Sequence, residues 1–346
     1  MRGFQRKIQY LLILAFLLLV ICESLTRMYW VVRHDLGFFD MGRINALFYP
    51  SVDQSPPLDP KVHNILVLGG SVVSREWNPV FGGLSGRLEE KWGHPVNVAH
   101  WAQVSHSSLD SLVKYTAMEG QPFDTVFIYH GINDLRANNC PPEVYRDDYS
   151  HMVWYEQVNL CVAYPWKNWC VLPFTLHYFK VIVEGKLRSA PKLPSSGFPE
   201  SGPLASWIQF GSDIKTRVAF RRNIQSIVEK AGLRGQRVVL ATFKTYFSPG
   251  YTREKFDRHA LDYADYKCPI ETWGLPGNIR KGMEVHNAIL RDVAKAYPHV
   301  TLVDMDLLMP SQGEFFMDVC HLSPKGQEVF LTLLLEHWPA AKALKP

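Results

Sequence analysis

Three short segments of this 346-residue chain carry side chains that together could perform nucleophilic chemistry. The first is Gly69-Gly70-Ser71, in which paired glycines permit a sharp turn and bring backbone N–H groups close to a reacting atom. The Ser71 hydroxyl would then lie exposed at a junction between a strand and a helix. By itself the segment is typical of a plain turn. It lacks the lysine of a phosphate loop and the spaced glycines of a dinucleotide site.

The second segment is residues 130–134, His-Gly-Ile-Asn-Asp, which follows the apolar run Thr125 to Tyr129. The side chain of Asn133 offers an N–H donor in a fixed place, as the stabilisation of an oxyanion requires. The alternative is an ordinary Gly-Asn-Asp turn.

The third segment is Asp318-Val319-Cys320-His321. An aspartate three residues before a histidine on one loop can bind the imidazole Nδ1 and leave Nε2 free to take a proton from a serine. The alternative is a loop that caps the last helix, since Ser323 is a suitable N-cap with Pro324 in the first helical position.

Alternating strands and helices predict the frame that must position these segments. Continuously apolar runs indicate strands covered on both faces, and amphipathic stretches separate them. We therefore predict an α/β fold, a three-layer sandwich around a central, mostly parallel sheet of the flavodoxin-like kind. All three polar segments are expected at the carboxyl ends of strands, where open parallel sheets place their active sites. The predicted strands are Ile65–Leu68, Val96–Val98, Thr125–Tyr129, Gln236–Ala241 and Val300–Val303, and the predicted helices are Gly83–Trp92, Ser108–Glu119, Ile214–Ala231, Arg280–Ala296 and Pro324–Trp338.

Taken together and in this order, the three segments resemble the SGNH/GDSL hydrolase superfamily, over roughly Asn64 to Trp338. The resemblance implies a nucleophilic serine after the first strand, an oxyanion asparagine in a Gly-x-Asn-Asp segment, and a base with its orienting acid in Asp-x-x-His near the C-terminus. The positions that match are Ser71, then Gly131, Asn133 and Asp134, and finally Asp318 and His321.

Two positions depart from the family pattern. Gly70 replaces the aspartate of the Gly-Asp-Ser-Leu signature, which should be tolerable because that aspartate is not the triad acid. Ser105 falls where the family has a glycine whose backbone N–H enters the oxyanion hole. The contact survives if Ser105 can adopt the dihedral angles that the position requires. Loss of one such donor costs about two to three decades in rate.

The N-terminus predicts where the protein resides. Basic residues at 2, 6 and 7 precede an uncharged run from Ile8 to Cys22, which is either a short signal anchor or the core of a signal peptide. No small-x-small cleavage site follows, so we favour an uncleaved anchor with a cytoplasmic N-terminus and a periplasmic or extracellular catalytic domain. We predict a cytoplasmic tip at 1–7, a signal anchor at 8–25, a juxtamembrane connector at 26–62 and a hydrolase domain at 63–340.

An aromatic-rich insertion interrupts the domain at about 140–213, and its second half, 189–203, is rich in turn-forming residues. Connections of this length are usually functional or disordered. Two interpretations remain open: a lid or rim of the site, or a small satellite core. Cys161 and Cys170 are plausible disulfide partners in an oxidising compartment.

These observations predict a serine esterase that removes, or transfers, acyl groups, preferably acetyl, on an envelope or extracellular polysaccharide. The alternatives are a lipid esterase resembling a lysophospholipase, or a catalytically weak glycan-binding protein with envelope-assembly partners. No metal or organic cofactor is needed. Nucleic acid is not an expected partner, because the net charge is only +4 and the sequence has no dense basic stripe. The expected partners are an acylated carbohydrate or lipid and, through the N-terminal helix, the membrane.

Overall fold

The computed structural model describes residues 2–49, 52, 58–117, 121–187 and 205–341. The turn-forming stretch 189–203 therefore lies outside the described residues. Five strands form one parallel sheet in the order β2-β1-β3-β4-β5. The predicted fold class is confirmed. The strands are β1 His63–Gly69, β2 Val96–His100, β3 Thr125–Tyr129, β4 Arg237–Ala241 and β5 Val300–Val303.

Helices alternate with these strands at the predicted places, although several begin or end a few residues away from the predicted limits. Thr125–Tyr129 and Val300–Val303 match the predicted bounds. The helices are α1 Arg2–His34, α2 Ile44–Phe48, α3 Leu84–Trp92, α4 Ser108–Ala117, α5 Val153–Ala163, α6 Leu172–Leu187, α7 Arg217–Leu233, α8 Arg253–Asp257, α9 Pro276–Ala296, α10 Met305–Leu308 and α11 Pro324–Glu336.

The sheet lies between two helical layers because its strands are apolar on both faces. In β1, all seven residues are buried, and alternate side chains point to opposite faces. Ile65 and Val67 belong to the core that also contains residues of α3 and α11. Leu66 and Leu68 belong to the core on the other face, with residues of α4, α7 and α9. The result is the predicted three-layer sandwich.

The strand order determines where a site can form. In an order of 2-1-3-4-5, the connections leave β1 and β3 toward opposite sides, and a crevice opens between the carboxyl ends of these two strands. Ser71 follows β1, and Asn133 follows β3 in a 3-10 helix, Ile132–Asn138. The third polar segment does not directly follow a strand, contrary to our expectation. It lies on the loop before α11, which folds back to the same edge.

The aromatic insertion forms a second core. Helices α5 and α6 pack with the end of α1, with α2 and with the outer face of α4, and they bury aromatic residues of the insertion, for which the sequence left a lid or rim and a satellite core as alternatives. The described part of the insertion therefore corresponds to the satellite core. Aromatic side chains of the insertion pack beside α4. Those buried in this core are Tyr149, Tyr155 and Phe174.

Helix α1 is longer than the predicted anchor and is attached to the insertion. It continues past Leu25 to His34, and it is long and apolar enough to cross a membrane by length and composition. Glu23 accepts hydrogen bonds from the backbone N–H groups of Val171 and Leu172, both at 2.9 Å. Arg27 donates to the carbonyl oxygens of Asn168 and Trp169, both at 3.0 Å. The helix therefore continues into the second core without a flexible joint.

Cys161 and Cys170, the plausible disulfide partners, are not bonded to each other, and both thiols are free. Cys161 is buried in the second core, where its carbonyl oxygen lies 3.4 Å from Nζ of Lys167. Cys170 instead directs its Sγ toward Glu23 Oε2, at 3.5 Å. The loop between α5 and α6 thus separates the two sulfur atoms and turns the second one toward α1.

Candidate active site

Ser71 lies directly after the sharp turn that ends β1. Gly70 is needed there because a Cβ at this position would lie 2.7 Å from Nδ2 of Asn133 and 3.4 Å from the carbonyl oxygen of His106. The family's aspartate would not fit at residue 70 with Asn133 in this place. The departure at Gly70 therefore allows the amide of Asn133 to approach the backbone beside Ser71.

The loop 318–321 is shaped by a small antiparallel contact. Phe316 pairs with Leu322, and the N–H of Met317 donates to the carbonyl oxygen of His321 at 2.7 Å. This closes a tight turn that brings Asp318 and His321 onto one side. Ser323 then caps α11 by accepting a hydrogen bond from the N–H of Gly326 at 3.1 Å, so the capping interpretation is correct as well.

Ser71, His321 and Asp318 form one continuous chain of hydrogen bonds. Ser71 Oγ lies 2.8 Å from His321 Nε2, and His321 Nδ1 lies 2.6 Å from Asp318 Oδ2. The sequence separation of Ser71 and His321 is 250 residues, so only the fold brings them together. Ser71 is 6% exposed, His321 3% and Asp318 0%, so the expectation of an exposed Ser71 is wrong. Burial keeps water from competing for these hydrogen bonds.

Asp318 is held as a carboxylate acceptor by backbone N–H groups. Its Oδ1 accepts from the N–H of Cys320 at 2.9 Å and from that of His321 at 2.8 Å. Its Oδ2 accepts from the N–H of Cys268 at 3.0 Å in addition to the imidazole. These donors fix the carboxylate in the plane that orients the histidine.

Asn133 is oriented by two partners of opposite character. Its Oδ1 accepts a hydrogen bond from Nε1 of Trp273 at 2.9 Å, and its Nδ2 donates to the carbonyl oxygen of His106 at 3.0 Å. The indole can only donate and the carbonyl can only accept, so the orientation of the amide is determined. One N–H of the amide remains for a third partner above Gly70.

The backbone of Ser105 is in a conformation that glycine adopts more readily than other residues. Its φ is +68°, in the left-handed region that favours glycine. In the described part of the chain, the N–H groups of Ser71 and Ser105 have no hydrogen-bond acceptor. The N–H of Gln103 donates to the carbonyl oxygen of Gly69 at 3.2 Å, which joins this loop to the end of β1.

We expect the substitution Ser105→Gly to raise the free energy of unfolding by about 0.5–1 kcal/mol and to preserve activity, because relief of the left-handed backbone exceeds the conformational entropy that glycine adds to the unfolded chain. The buried Oγ of Ser105 also has no partner within the described residues, so its removal costs no hydrogen bond. Chemical denaturation and ester turnover measure the two effects. A matched control is Ser226→Gly in α7, which should destabilise by about 1 kcal/mol. A large loss of activity in Ser105→Gly would assign a role to the hydroxyl.

Gly131 and Asp134 support the site from below. A Cβ at Gly131 would lie 2.6 Å from Cε of Met283 and 2.8 Å from Cβ of Phe243, so only glycine allows this close packing. Asp134 accepts hydrogen bonds from the N–H of Ser108 at 3.0 Å and from the hydroxyl of Tyr149 at 3.0 Å. Burial raises the pKa of Asp134 to about 7. Through these hydrogen bonds, Asp134 connects the 3-10 helix that contains Asn133 to α4 and to the insertion.

Sequence reasoning missed the two tryptophans that flank His321. The ring centroids of Trp77 and His321 are 4.5 Å apart, and those of Trp273 and His321 are 5.9 Å apart. Lys267 Nζ lies 4.0 Å from the centroid of Trp77. Trp77 lies in the turn after Ser71 and Trp273 in the loop before α9, and no spacing in the sequence connects either residue with the histidine.

A cluster of metal-ligating atoms overlaps this site. Ligand atoms of Cys268, Asp318 and His321 lie within 4.8 Å of one another. Both ring nitrogens of His321 already have partners in Ser71 and Asp318. Burial raises the pKa of the Cys268 thiol to about 12, whereas a metal binds the thiolate. The donor set is therefore better suited to proton transfer between hydrogen-bonded groups than to a metal.

No known family profile and no curated protein matches this chain. Among solved structures, it is similar to a putative acylhydrolase from Bacteroides fragilis, with 12% identity, a TM-score of 0.42 and coverage of 87% of this chain and 96% of that one. It is also similar to a GDSL-like lipase from Bacteroides thetaiotaomicron, with 12% identity, a TM-score of 0.43 and coverage of 86% and 97%. A third is the acetylxylan esterase Axe2 from Geobacillus stearothermophilus, with 11% identity, a TM-score of 0.43 and coverage of 80% and 95%. At these values the likeness carries no inference about activity, which we draw from the side chains of the site.

Proposed function

We propose that this chain is a serine ester hydrolase with Ser71 as its nucleophile. The observation that carries the proposal is the continuous hydrogen-bonded chain from Ser71 Oγ through both nitrogens of His321 to the carboxylate of Asp318. A serine hydroxyl is a weak nucleophile at neutral pH, and it becomes effective when an oriented base can remove its proton. These three groups supply that arrangement.

In the first half of the reaction, Ser71 Oγ attacks the acyl carbonyl carbon while His321 Nε2 takes the hydroxyl proton. Asp318 holds the Nδ1–H of His321 and stabilises the imidazolium that forms. The tetrahedral intermediate collapses when its C–O bond to the alcohol breaks and His321 returns the proton to the leaving oxygen. In the second half, His321 removes a proton from water and the hydroxide attacks the acyl carbon of the acyl-serine. The bond from that carbon to Ser71 Oγ then breaks, the carboxylic acid leaves, and His321 returns the proton to Ser71 Oγ.

The negative oxygen of the intermediate needs donors that are in place before the reaction. Three groups supply them: the unengaged N–H of the Asn133 amide and the backbone N–H groups of Ser71 and Ser105. The orientation of Asn133 by Trp273 and His106 and the left-handed conformation of Ser105 support this role. Gly70, Gly131 and Asp134 position these donors.

We assign the substrate as a carbohydrate ester with a small acyl group, preferably acetyl, on an envelope or extracellular polysaccharide. Close packing of Trp77 and Trp273 around His321, and the 6% exposure of Ser71, favour a short acyl group over a long alkyl chain. The aromatic residue for stacking on a sugar ring beside the site would be Trp77, which is half-buried, because Trp273 is buried. Transfer of the acyl group to a second sugar uses the same steps, with an alcohol in place of water.

The experiment that tests the function is labelling of the full chain in detergent with a fluorophosphonate probe, followed by peptide mass spectrometry. We expect an adduct on Ser71 and faster cleavage of p-nitrophenyl acetate than of p-nitrophenyl decanoate. Faster cleavage of the decanoate would favour the lipid esterase. Labelling without turnover would indicate an acyltransferase, and the absence of labelling in folded protein would favour a glycan-binding role.

We further propose that α1 anchors the protein with its basic tip in the cytoplasm and residues 35–346 outside. The exposed side chains of Trp166 and Trp169 lie on the loop that Arg27 binds, close to the end of the apolar run, where aromatic residues favour the membrane interface. In intact cells, residues 35–346 should be digested by a protease added outside, once any outer barrier is permeabilised. Digestion only after lysis of the inner membrane would contradict this orientation.

A further inference from the structure

The guanidinium of Arg136 is buried beside the candidate active site and has no hydrogen-bond or ion-pair partner among the described residues. Arg136 lies three residues after Asn133 in the same 3-10 helix and is 6% exposed. Its Nε and Nη1 atoms are buried and donate no hydrogen bond within the described residues. No ion pair of Arg136 is formed with any described carboxylate. An arginine in this state is unusual, because removal of a charge from water is costly unless a partner replaces the water.

The groups around Arg136 do not provide that counter-charge. The ionisable groups that interact electrostatically with Arg136 are Tyr155, Cys268 and Cys320. Burial raises the pKa of the Cys268 thiol to about 12 and raises the pKa values of Tyr155 and Cys320 well above their usual ranges. All three groups are therefore neutral at physiological pH, and none of them balances the charge of the guanidinium.

Arg136 is linked to the reacting groups by a single side chain. Its Cζ lies 5.8 Å from the centroid of the Trp273 ring, within the range of a cation–π contact. The same indole donates to Oδ1 of Asn133, and its ring lies beside His321. The positive charge is thus one ring away from the oxyanion donor and from the general base.

A second cation lies over the ring of Trp77, the other tryptophan that flanks His321. Lys267, which is exposed, lies over the ring of Trp77, and Trp77 lies beside His321. Each tryptophan that flanks the histidine therefore carries a cation. Asp318 is the carboxylate of the candidate active site. It already accepts hydrogen bonds from His321 and from backbone N–H groups.

We propose that Arg136 binds an anionic group of the substrate, a carboxylate or a phosphate, and thereby places the ester at Ser71. This inference rests on the proposed function and narrows its substrate class to esters of acidic molecules. The guanidinium presents parallel N–H donors that match the two oxygens of such a group. Lys267, which is exposed over the ring of Trp77, adds positive charge that attracts the same anion without fixing its geometry. A uronic acid of an acidic glycan and a phosphate ester share this chemistry.

The test uses the full chain in detergent and two probes, sodium glucuronate and inorganic phosphate, each compared with sodium chloride at the same ionic strength. We expect one probe to raise the melting temperature of the unmodified protein. A response to glucuronate alone would identify an acidic sugar as the source of the anion, and a response to phosphate alone would identify a phosphate ester. The variant Arg136→Met should melt higher than the unmodified protein, because it removes an unpaired buried charge, and should lose the response to either probe.

The matched control is Arg258→Met, which removes an exposed arginine and should leave the response to the probe intact. In kinetics, the ratio of kcat/KM for 4-acetoxybenzoate to that for phenyl acetate, two acetyl esters that differ in the negative charge on the alcohol part, should fall by about 10- to 100-fold in Arg136→Met, as expected for loss of a hydrogen bond to a charged group. Arg136→Lys should restore part of this ratio, which a purely structural role would not do.

Two results would overturn the proposal: a lower melting temperature of Arg136→Met together with an intact response to the probe, or an unchanged ratio of kcat/KM. A probe response that depends on Arg136 in a protein that cleaves no ester would contradict the esterase function and leave the anion site standing. Failure of the anion-site proposal and failure of the esterase function are therefore distinguishable.

Discussion

Replacing Ser71 with alanine is expected to lower kcat/KM for p-nitrophenyl acetate by roughly four to six orders of magnitude, because the residual rate would come only from the oxyanion donors and substrate binding. His321→Ala should lose about as much. The double variant should be no slower than either single variant, since the two groups act as one unit across a 2.8 Å hydrogen bond.

The matched control for this prediction is Ser212→Ala, which alters an exposed serine in the same protein. All variants are to be compared at equal folded fraction, judged by their melting curves. Unchanged esterase activity in purified Ser71→Ala would refute the assignment of the nucleophile. Additive losses in the double variant would contradict the hydrogen-bonded unit and indicate two independent roles.

The substitution Asp318→Asn is expected to reduce kcat by about 10⁴, the size of the effect in serine proteases with this arrangement. If the amide nitrogen faces His321, it donates to Nδ1, and Nε2 then carries the proton and cannot accept that of Ser71. If the amide oxygen faces His321, the NH₂ group points at the N–H groups of Cys320 and His321, which now bond to Oδ1.

In the first orientation the NH₂ group also meets the N–H of Cys268, which now bonds to Oδ2, and in the second it meets the N–H groups of Cys320 and His321. A donor therefore lies against a donor in either case, and the free energy of unfolding should fall by about 1–3 kcal/mol as well. Stopped assays of ester cleavage and chemical denaturation measure the two losses separately. Asp265→Asn, at an exposed aspartate, is the control and should change neither quantity appreciably. A rate loss of less than tenfold in Asp318→Asn would exclude Asp318 as the residue that orients His321.

The fold was predictable because it depends on local patterns. Runs such as Ile65–Leu68 and Thr125–Tyr129 are apolar at every position, which indicates strands covered on both faces. The spacing of amphipathic segments between them then requires parallel connections. Predicted element ends differed by a few residues from those in the structure, since caps such as Ser323 at α11 are local but most other ends depend on tertiary contacts.

The role of the insertion was not predictable from composition. Aromatic residues serve equally well to line a site or to fill a core, and the difference is where the chain places them. Tyr149 and Tyr155 donate their hydroxyls to buried carboxylates behind the site, Asp134 and Asp110 respectively, at 3.0 and 2.7 Å. The insertion thus supports the loops around the site and forms a satellite core.

The sequence by itself determined the sheet, its helices and the three polar segments, because apolar periodicity and the short spacing within Asp318-x-x-His321 are properties of neighbouring residues. Only the tertiary structure decided which groups meet. It placed Ser71 within 2.8 Å of His321 across 250 residues, gave Ser105 its left-handed backbone, and set Trp273 between Asn133 and Arg136. These contacts join distant parts of the chain, and their geometry depends on the packing of whole layers, which no local pattern encodes.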